Sequence, residues 1–401
     1  MNEKKYILRI TPSFKYFILL FPVFKPDTIT SLQSLHYLSL VMTALKYSFL
    51  IALLLWYLFG NRKIGIGSLA FPVLILVISV STIINGNLND IPHLFSTNID
   101  IVYYYLLFSY MVEKEEYKEL LAATCFILSA WCLANTITVF AFYDRRYMYV
   151  PSVNAAIVKD RYLLGSKNYQ ISFLLPLLGV TCMYDIEEYH RIRLSTFAIQ
   201  AFSIIPLFMT SAATSIISVF LFYSILAFSY NRPEIIKVLK LPLVVAIGNG
   251  IVFSAFVVMG SKGIISAFLE RTFKKSIKSQ RSIIWSTYLE KIRMKPIIGY
   301  GYMPTIVQKK FVGVMHAHNQ YLQMLFNGGL VGLCVFYFFL ISLMNRSAGI
   351  RTKEGTVAFA VTAAMIIAFE GDYYYSLSFF FVSILAIVHN YEILEKREMS
   401  S

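Results

Sequence analysis

Residues 315–333 read MHAHNQYLQMLFNGGLVGL, and this stretch sets groups that can move protons beside a long apolar run. His316 and His318 are separated by one residue, and Asn319 follows directly. Histidine gains and loses protons near neutral pH, so a well-placed imidazole can serve as a general base. Such a base works only when rigid elements hold it at the reacting group. The helices around this stretch therefore decide whether it can do chemistry.

The composition indicates a membrane protein. Of the 401 residues 57% are hydrophobic, and the mean hydropathy is +0.63. Only 14% are charged, against roughly 25% in soluble domains. Apolar runs of about 20 residues, the length of a helical span, recur along the chain. We predict an all-α, polytopic integral membrane protein, with residues 1–401 forming a single membrane domain.

Hydropathy predicts twelve membrane-spanning helices. They are expected at residues 6–24, 33–60, 64–84, 96–112, 118–142, 169–184, 193–210, 212–230, 239–260, 319–344, 355–369 and 374–389. Short cytoplasmic loops are enriched in Lys and Arg. Each loop on the side of the N-terminus carries such a residue, whereas the opposite short loops 85–95, 211 and 370–373 carry none. Both termini are therefore predicted in the cytoplasm.

The N-terminus is basic and then apolar, but no small-residue cleavage site follows, which predicts a retained first helix rather than a signal peptide. Four cysteines lie inside apolar runs and are expected to pack as small hydrophobic residues, without disulfides. They are Cys125, Cys132, Cys182 and Cys334.

Two loops predicted on the outer side are strongly basic. The smaller loop, 143–168, has five basic and two acidic residues, and the large loop, 261–318, has eleven basic and two acidic residues. Nucleic acid is not expected on that side of a membrane. Phosphate on a lipid head group is the expected anionic partner.

Within the large loop, basic residues recur at helical spacing and predict an amphipathic helix on the outer membrane surface. They are Arg271, Lys274, Lys275, Lys278 and Arg281. Two interpretations stay open. The helix could be attracted to anionic lipids in general, or single cations could bind a pyrophosphate. Arg281 suits the second interpretation, because a guanidinium can bind two phosphate oxygens at once.

Helical spacing also links His318 to two glycines. Gly329 and Gly332 follow it by 11 and 14 residues, close to three and four turns. We expect all three on one stripe of the tenth helix. Small residues there would let a neighbouring helix approach and fix the span, with His318 held at the membrane–water boundary.

The same spacing resembles a family signature. His318-Asn319, nine residues, Gly329, two residues and Gly332 match the pattern H-[N/S/Q]-x9-G-x-x-[G/T/Y] of the O-antigen ligase and Wzy-type polysaccharide polymerase superfamily. Three upstream runs are also similar to that family: Phe21–Pro26, Arg161–Asn168, and Arg281–Trp285 with Pro296–Gly301. The family's Ser-Arg pair near the outer end of a middle helix is absent, since residues 209–215 read MTSAATS.

The resemblance implies metal-independent glycosyl transfer, without a cofactor, on the outer face of the bacterial cytoplasmic membrane. It implies polymerisation of undecaprenyl-pyrophosphate-linked oligosaccharide repeat units, with membrane lipids, a flippase and a chain-length regulator as further partners. The implied roles are a catalytic base at His318, pyrophosphate binding by Arg281, Arg161 and Arg271, sugar or acceptor binding by Asn319, Gln323, His316 and Glu370, and helix packing by Gly329 and Gly332.

Several alternatives remain at this point. An O-antigen ligase or a protein oligosaccharyltransferase would share the same motifs. A flippase should carry charge within its helices. We interpret the predicted spans as nearly free of ionisable residues, with Lys46 as the main exception. A non-catalytic scaffold would leave the histidine spacing unexplained. The two histidines lack a nearby carboxylate in sequence, so no zinc site is predicted. Glu370 and Asp372 could form a second acid/base pair or be solvated charges at a helix end.

Overall fold

The computed structural model describes residues 14–60, 70–114, 116–143, 147, 161–254, 257 and 280–372. These residues form helices α1 to α15 and one small hairpin. The first eight helices are α1 (14–20), α2 (Asp27–Ser31), α3 (His36–Phe59), α4 (Ala70–Ile84), α5 (Ile91–Glu113), α6 (Tyr117–Phe142), α7 (Ile171–Tyr189) and α8 (Leu194–Met209). The others are α9 (Ala213–Ser229), α10 (Glu234–Val238), α11 (Leu241–Phe253), α12 (Gln280–Met294), α13 (Thr305–Val312), α14 (Gln320–Gly349) and α15 (Lys353–Ala368). Strands β1 (Arg161–Tyr162) and β2 (Gly165–Ser166) pair antiparallel.

The hydropathy prediction places most helices well. Each predicted span up to residue 369 contains a described helix, and the differences lie mainly at the ends. For example, α5 begins at Ile91 rather than 96, where Pro92 is tolerated because the first turn needs no N–H donor. The predicted span at 374–389 lies outside the described residues.

Within the described part of the chain, three segments have the length and apolar composition of a membrane span: Gln33–Phe59, Tyr117–Phe142 and Gln320–Gly349. Shorter apolar helices cover Pro72–Ile84, Leu194–Met209, Ala213–Ser229 and Leu241–Phe253. The chain is therefore a mostly helical membrane protein, while the total of twelve spans stays a prediction.

Helices α7 and α15 form the centre of the bundle. Both are buried along nearly their whole length, as expected for helices that are apolar on all sides. They approach closely at Gly179, where an added Cβ would lie 2.7 Å from Cγ2 of Val361. Helix α15 is thus firmly seated, which matters because residues 369–372 follow it directly.

Loops predicted on the same side of the membrane contact one another. At one end, Arg161 pairs with Asp27 at 3.1 Å, and the Asn85 amide donates to the Gly299 carbonyl at 3.1 Å. At the other end, Lys353 Nζ donates to the His190 carbonyl at 3.3 Å. The loop topology that the positive charges predict stays a prediction.

Helix α14 reverses direction at Gly329, which has φ 61° and ψ −161°. The rings of Tyr321 and Tyr337 stack with their centroids 5.0 Å apart, although a straight helix would separate these residues by about 24 Å. The first part of α14 (320–328) therefore folds back along its second part (330–349). The prediction of one straight tenth helix differs from the structure here.

A loop from the preceding segment fills the break in α14. Backbone N–H groups of Leu330 and Val331 donate to the carbonyls of Pro296 and Ile297, at 2.8 and 3.2 Å. Tyr300 N and Gly301 N donate in turn to Phe326 O and Asn327 O, both at 2.8 Å. Irregular backbone at membrane depth is tolerated only where such partners exist. The Pro296–Gly301 loop therefore supplies the backbone hydrogen-bond partners that the broken helix lacks.

The role predicted for the two glycines is accordingly revised. An added Cβ at Gly329 would lie 2.2 Å from the Ile297 carbonyl oxygen, so the missing side chain makes room for loop backbone and not for a neighbouring helix. A Cβ at Gly332 would meet ordinary contacts, 3.5 Å from Met324 O and 4.0 Å from Val77 Cγ1 of α4. The two glycines do not share one helical stripe with His318, because the chain reverses between them and His318 precedes α14.

Candidate functional site

His318 lies in the loop before α14 and has a left-handed backbone conformation, with φ 52°. For a residue with a side chain this conformation costs roughly 1–2 kcal/mol. Asn319 follows in an extended conformation and caps α14, since its Oδ1 accepts a hydrogen bond from the Leu322 N–H at 2.9 Å.

The imidazole of His318 contacts Asp372, just beyond α15. His318 Nδ1 lies 3.0 Å from Asp372 Oδ1, and the Asn168 amide lies 3.3 Å from the other carboxylate oxygen. The carboxylate accepts, so His318 carries its proton on Nδ1 and leaves the Nε2 lone pair available. The His318 side chain is 36% exposed and that of Asp372 12%. The imidazole that can accept a proton is thus partly exposed, while the carboxylate of Asp372 is shielded.

Asp372 is held in its ionised form. Burial alone raises the pKa of this carboxyl. The hydrogen bond with His318 and the charges of His316, His318 and Arg281 together outweigh burial and lower the pKa to about 2. An ionised carboxylate at this position can stabilise the imidazolium that forms when His318 takes up a proton.

His316 lies beside His318 but has a different role. Its Nδ1 accepts the His318 backbone N–H at 3.3 Å, and the two ring centroids are 4.0 Å apart. Burial lowers the pKa of His316 to about 4, despite the opposing effect of Asp372. His316 is therefore neutral at physiological pH, and its distance of 3.6 Å from Asp372 is not an ion pair there. It supports the turn at His318.

Arg281 lies in the first turn of α12, and that helix is attached to the histidine loop. The indole N–H of Trp285, one turn later on the same face, donates to the Ala317 carbonyl at 3.0 Å. The charge of Arg281 contributes to lowering the pKa of both His316 and Asp372. The structure therefore brings together the two residues that the sequence singled out most strongly, His318 and Arg281.

Glu370 forms a second polar cluster next to the first. Its Oε2 accepts the Asn319 amide at 2.6 Å and its Oε1 accepts the Asn249 amide of α11 at 2.9 Å. Tyr337 in turn donates its hydroxyl to Asn249 Oδ1 at 2.8 Å. Burial raises the pKa of Glu370 to about 7, although the two amide hydrogen bonds favour the ionised form. Glu370, predicted to bind sugar, thus sits on a network of protein amides.

The amides of Asn319 and Gln323, also predicted to bind sugars, are used within the protein. Both residues are buried. Gln323 Oε1 accepts the Ala317 N–H at 3.0 Å and the Gln308 amide at 3.1 Å, and its Nε2 donates to Asn327 at 2.9 Å. These contacts support the loop that carries His318.

Two other residues were predicted to bind phosphate. Arg161, on the hairpin, is paired with Asp27 of α2, and Arg271 lies outside the described residues. The hairpin is fastened to α2 and α6: Thr28 Oγ1 donates to Leu163 O at 3.0 Å, and Leu164 N donates to Asn135 Oδ1 at 3.0 Å. The same segment then delivers Asn168 to Asp372. Within the run Arg161–Asn168, Asn168 therefore contacts the site, whereas Arg161 forms an ion pair with Asp27.

A carboxylate does lie beside the histidines, contrary to the premise that argued against a metal. His316, His318 and Asp372 each place one nitrogen or oxygen within 4.8 Å of the others, a spacing that a metal ion could bridge. In this structure the same atoms already bond to one another and to the His318 N–H. The described geometry fits a hydrogen-bonded histidine–aspartate pair directly.

Sequence analysis missed three residues of the site as well as the role of Asp372. They are Asn168, Asn249 and Tyr337. Asn168 belonged to a run that had been noticed, whereas nothing near Asn249 or Tyr337 in sequence indicates their contact with Glu370.

The segment where the family carries Ser-Arg lies at the site, but with different chemistry. A Cβ at Gly371 would be 2.8 Å from Cβ of Thr214, so the start of α9 packs against the turn between Glu370 and Asp372. Thr214 therefore contacts this turn from the segment in which the family carries its Ser-Arg pair. Among the described residues, Arg281 is the cation whose charge acts on this cluster.

Comparison with known families identifies a match over part of the chain. Residues 198–337 match the family model described as O-antigen ligase. The matched region is therefore similar to the O-antigen ligase and Wzy-type superfamily. The superfamily consists of glycosyltransferase-like membrane enzymes that act on lipid-linked oligosaccharides. Comparison with curated proteins gave no significant match.

The matched region contains Arg281, His318 and Asn249, but the site extends beyond it. Asn168 comes before the matched residues, and Glu370 and Asp372 come after them. The carboxylate that orients the histidine is therefore contributed by the part of the chain that follows the family match.

Proposed function

We propose that this protein polymerises oligosaccharide repeat units carried on undecaprenyl pyrophosphate. The reaction would take place on the outer face of the bacterial cytoplasmic membrane, with both termini in the cytoplasm. The observation that carries the proposal is the His318–Asp372 pair, which leaves Nε2 of His318 available. The pair belongs to a chain that matches the O-antigen ligase family over residues 198–337. Arg281 beside this pair, and the net charge of +14, suit an anionic lipid donor.

The proposed chemistry is a single displacement. Nε2 of His318 takes the proton of an acceptor sugar hydroxyl as that oxygen attacks the anomeric carbon of the donor. The bond from the anomeric carbon to the pyrophosphate oxygen breaks, and its electron pair leaves with the lipid pyrophosphate. Asp372 stabilises the resulting imidazolium, and Arg281 stabilises the charge on the leaving group. Attack from the opposite side inverts the anomeric centre, and no step requires a metal ion.

A ligase or an oligosaccharyltransferase of the same superfamily would use the same base, and the choice lies in the acceptor. A polymerase transfers the growing chain to another lipid-linked repeat unit. A ligase transfers it to a finished lipid core, and an oligosaccharyltransferase transfers it to protein. The experiment must therefore read the acceptor as well as the loss of activity.

The test is complementation of a strain that lacks its own copy, with wild type, His318→Ala, Arg281→Ala and the control His36→Ala. His36 is an exposed histidine at the start of α3. We expect ladders of glycan with wild type and His36→Ala, and none with His318→Ala at equal protein level. A null strain that still attaches single repeat units to its surface identifies a polymerase, whereas loss of all attached glycan identifies a ligase.

Purified protein in nanodiscs with lipid-linked repeat units tests the chemistry directly. Polymer should form equally with and without a chelator. Loss of activity with EDTA, restored by a divalent ion, would contradict the metal-free mechanism and favour a metal ion bridging His316, His318 and Asp372.

A further inference from the structure

The turn after α15 runs beside the start of α14 through three successive contacts. The Gln320 N–H donates to the Phe369 carbonyl at 2.8 Å, the Asn319 amide donates to Glu370 at 2.6 Å, and His318 Nδ1 meets Asp372 at 3.0 Å. Residues 318–320 are thus aligned against 372–369. The Gln320–Phe369 backbone contact lies at one end of this alignment and the His318–Asp372 pair at the other. Glu370 lies in the middle.

Glu370 connects three separate pieces of the bundle. One carboxylate oxygen binds Asn319 at the start of the first part of α14, and the other binds Asn249 of α11. Asn249 is in turn bound by Tyr337 from the second part of α14. The Glu370 side chain thereby connects the turn at His318 to α11 and, through Asn249, to the second part of α14.

Asn319 has no freedom to exchange its partners. Its Oδ1 accepts the Leu322 N–H, so its Nδ2 must be the group that faces Glu370. A residue in a left-handed conformation, such as His318, persists only where neighbouring contacts hold it. The bond from the His318 N–H to His316 acts on His318 itself, and the contact of Asn319 with Glu370 acts on the next residue.

We propose that Glu370 is a positioning residue, which holds Asn319 and thereby keeps His318 turned toward Asp372. This inference rests on the proposed role of His318 as the base. It replaces the expectation that Glu370 binds a sugar, and it requires only a hydrogen-bond acceptor at this position. If Glu370 instead bound an acceptor sugar through its charge or transferred a proton, its carboxylate would be needed and glutamine could not replace it.

The test compares Glu370→Gln with Glu370→Ala in the polymerisation assay, above pH 7. Glutamine can still accept from Asn319 through its amide oxygen. Asn249 can rotate its amide to match, because the Tyr337 hydroxyl can accept as well as donate. We expect Glu370→Gln to keep kcat within about fivefold, and Glu370→Ala to lower kcat at least tenfold with little change in the KM for acceptor. Equal loss in both variants, or a large rise in KM, overturns the proposal.

A pair of substitutions at Asn319 gives a second test that survives misfolding of Glu370→Ala. Asn319→Asp alone sets two carboxylates against each other and should lower kcat strongly. Asn319→Asp with Glu370→Gln restores one donor and one acceptor across the contact, and Oδ1 still caps α14. Activity should return in the double variant, whereas a double variant as inactive as the single one contradicts a positioning role.

The inference and the proposed function fail in different ways. Full activity of His318→Ala in the same assay removes the catalytic base whatever Glu370 does. Full activity of Glu370→Ala, with His318→Ala inactive, leaves the base in place and removes only the positioning role.

Discussion

His318 Nδ1 lies 3.0 Å from Asp372 Oδ1, although 54 residues separate the two along the chain. One residue precedes α14 and the other follows α15, so the pair forms only when both helices are seated. Asp372 fixes which ring nitrogen carries the proton, and the other nitrogen is left to act on a substrate. The pair therefore couples the folding of the last described helix to the chemistry of the site.

Asp372→Asn should lower kcat by about 10²- to 10⁴-fold. Asparagine keeps the shape of the side chain, but it no longer stabilises a protonated His318 and can present an amide donor to Nδ1. The rate is measured with lipid-linked repeat units in nanodiscs. The KM for donor should change little, because Asp372 is shielded behind the imidazole.

Glu290→Gln is the matched control for this substitution. Glu290 is an exposed carboxylate on α12, so its replacement removes the same charge without touching the dyad. If Asp372→Asn retains the activity of Glu290→Gln, the aspartate does not assist the base.

Glu370 should make stability depend on pH. Its pKa is raised from 4.5 to about 7 in the folded protein, so the folded state holds this proton more tightly than the unfolded state. The resulting stabilisation is complete below pH 4.5 and is lost as pH rises through 7. The shift corresponds to about 3 kcal/mol. Wild type should therefore lose apparent Tm relative to Glu370→Gln between pH 5 and 8.

The comparison with Glu370→Gln separates this effect from that of His316. The pKa of His316 is lowered from 6.5 to about 4, so its contribution has the opposite sign and increases stability as pH rises from 4 to 6.5. Both proteins carry His316, so its contribution cancels in the difference. A difference in Tm that is constant with pH would mean that Glu370 keeps its ordinary pKa.

The helices could be predicted from the sequence because an apolar run of sufficient length is a local property. The site was predicted in part, since His318 and Arg281 lie in runs with recognisable spacing. For Asp372 the sequence left an acid/base pair and a solvated charge at a helix end both open, because its burial depends on Asn168 and His318 from distant segments. No pattern near Asp372 in the sequence contains that information.

The reversal of α14 could not be predicted for a related reason. The residues from Gln320 to Gly349 are compatible with one continuous helix, and a pair of glycines alone does not require a break. The break is stable because the Pro296–Gly301 loop supplies the missing backbone partners, and Ser81 of α4 donates to the Ile298 and Asn327 carbonyls. Helix continuity was decided by a segment about 30 residues away.

Gln323→Leu should destabilise the protein. Leucine has a similar volume, but it removes the hydrogen bonds of Gln323 with the Ala317 N–H and the Asn327 amide, and the Gln308 amide keeps only Tyr288. Each buried polar group that loses its hydrogen bond costs about 1–3 kcal/mol. We expect a lower Tm and a lower kcat, because Ala317 is adjacent to His318. A sugar ligand would behave differently, with an unchanged Tm and a higher KM for acceptor.

Gly329→Ala and Gly332→Ala should differ sharply, although both belong to the same motif. At Gly329 the backbone angles are accessible almost only to glycine, and the new Cβ would lie 2.2 Å from the Ile297 oxygen. We expect loss of folded protein, or a stability decrease of at least about 3 kcal/mol. At Gly332 the new methyl group meets its neighbours at 3.5 and 4.0 Å, so the substitution should be tolerated. Yield, Tm and polymerisation measured side by side decide the matter. Equal tolerance of both substitutions would mean that α14 runs straight through Gly329, which would move His318 away from Asp372 and remove the geometric basis of the proposed mechanism.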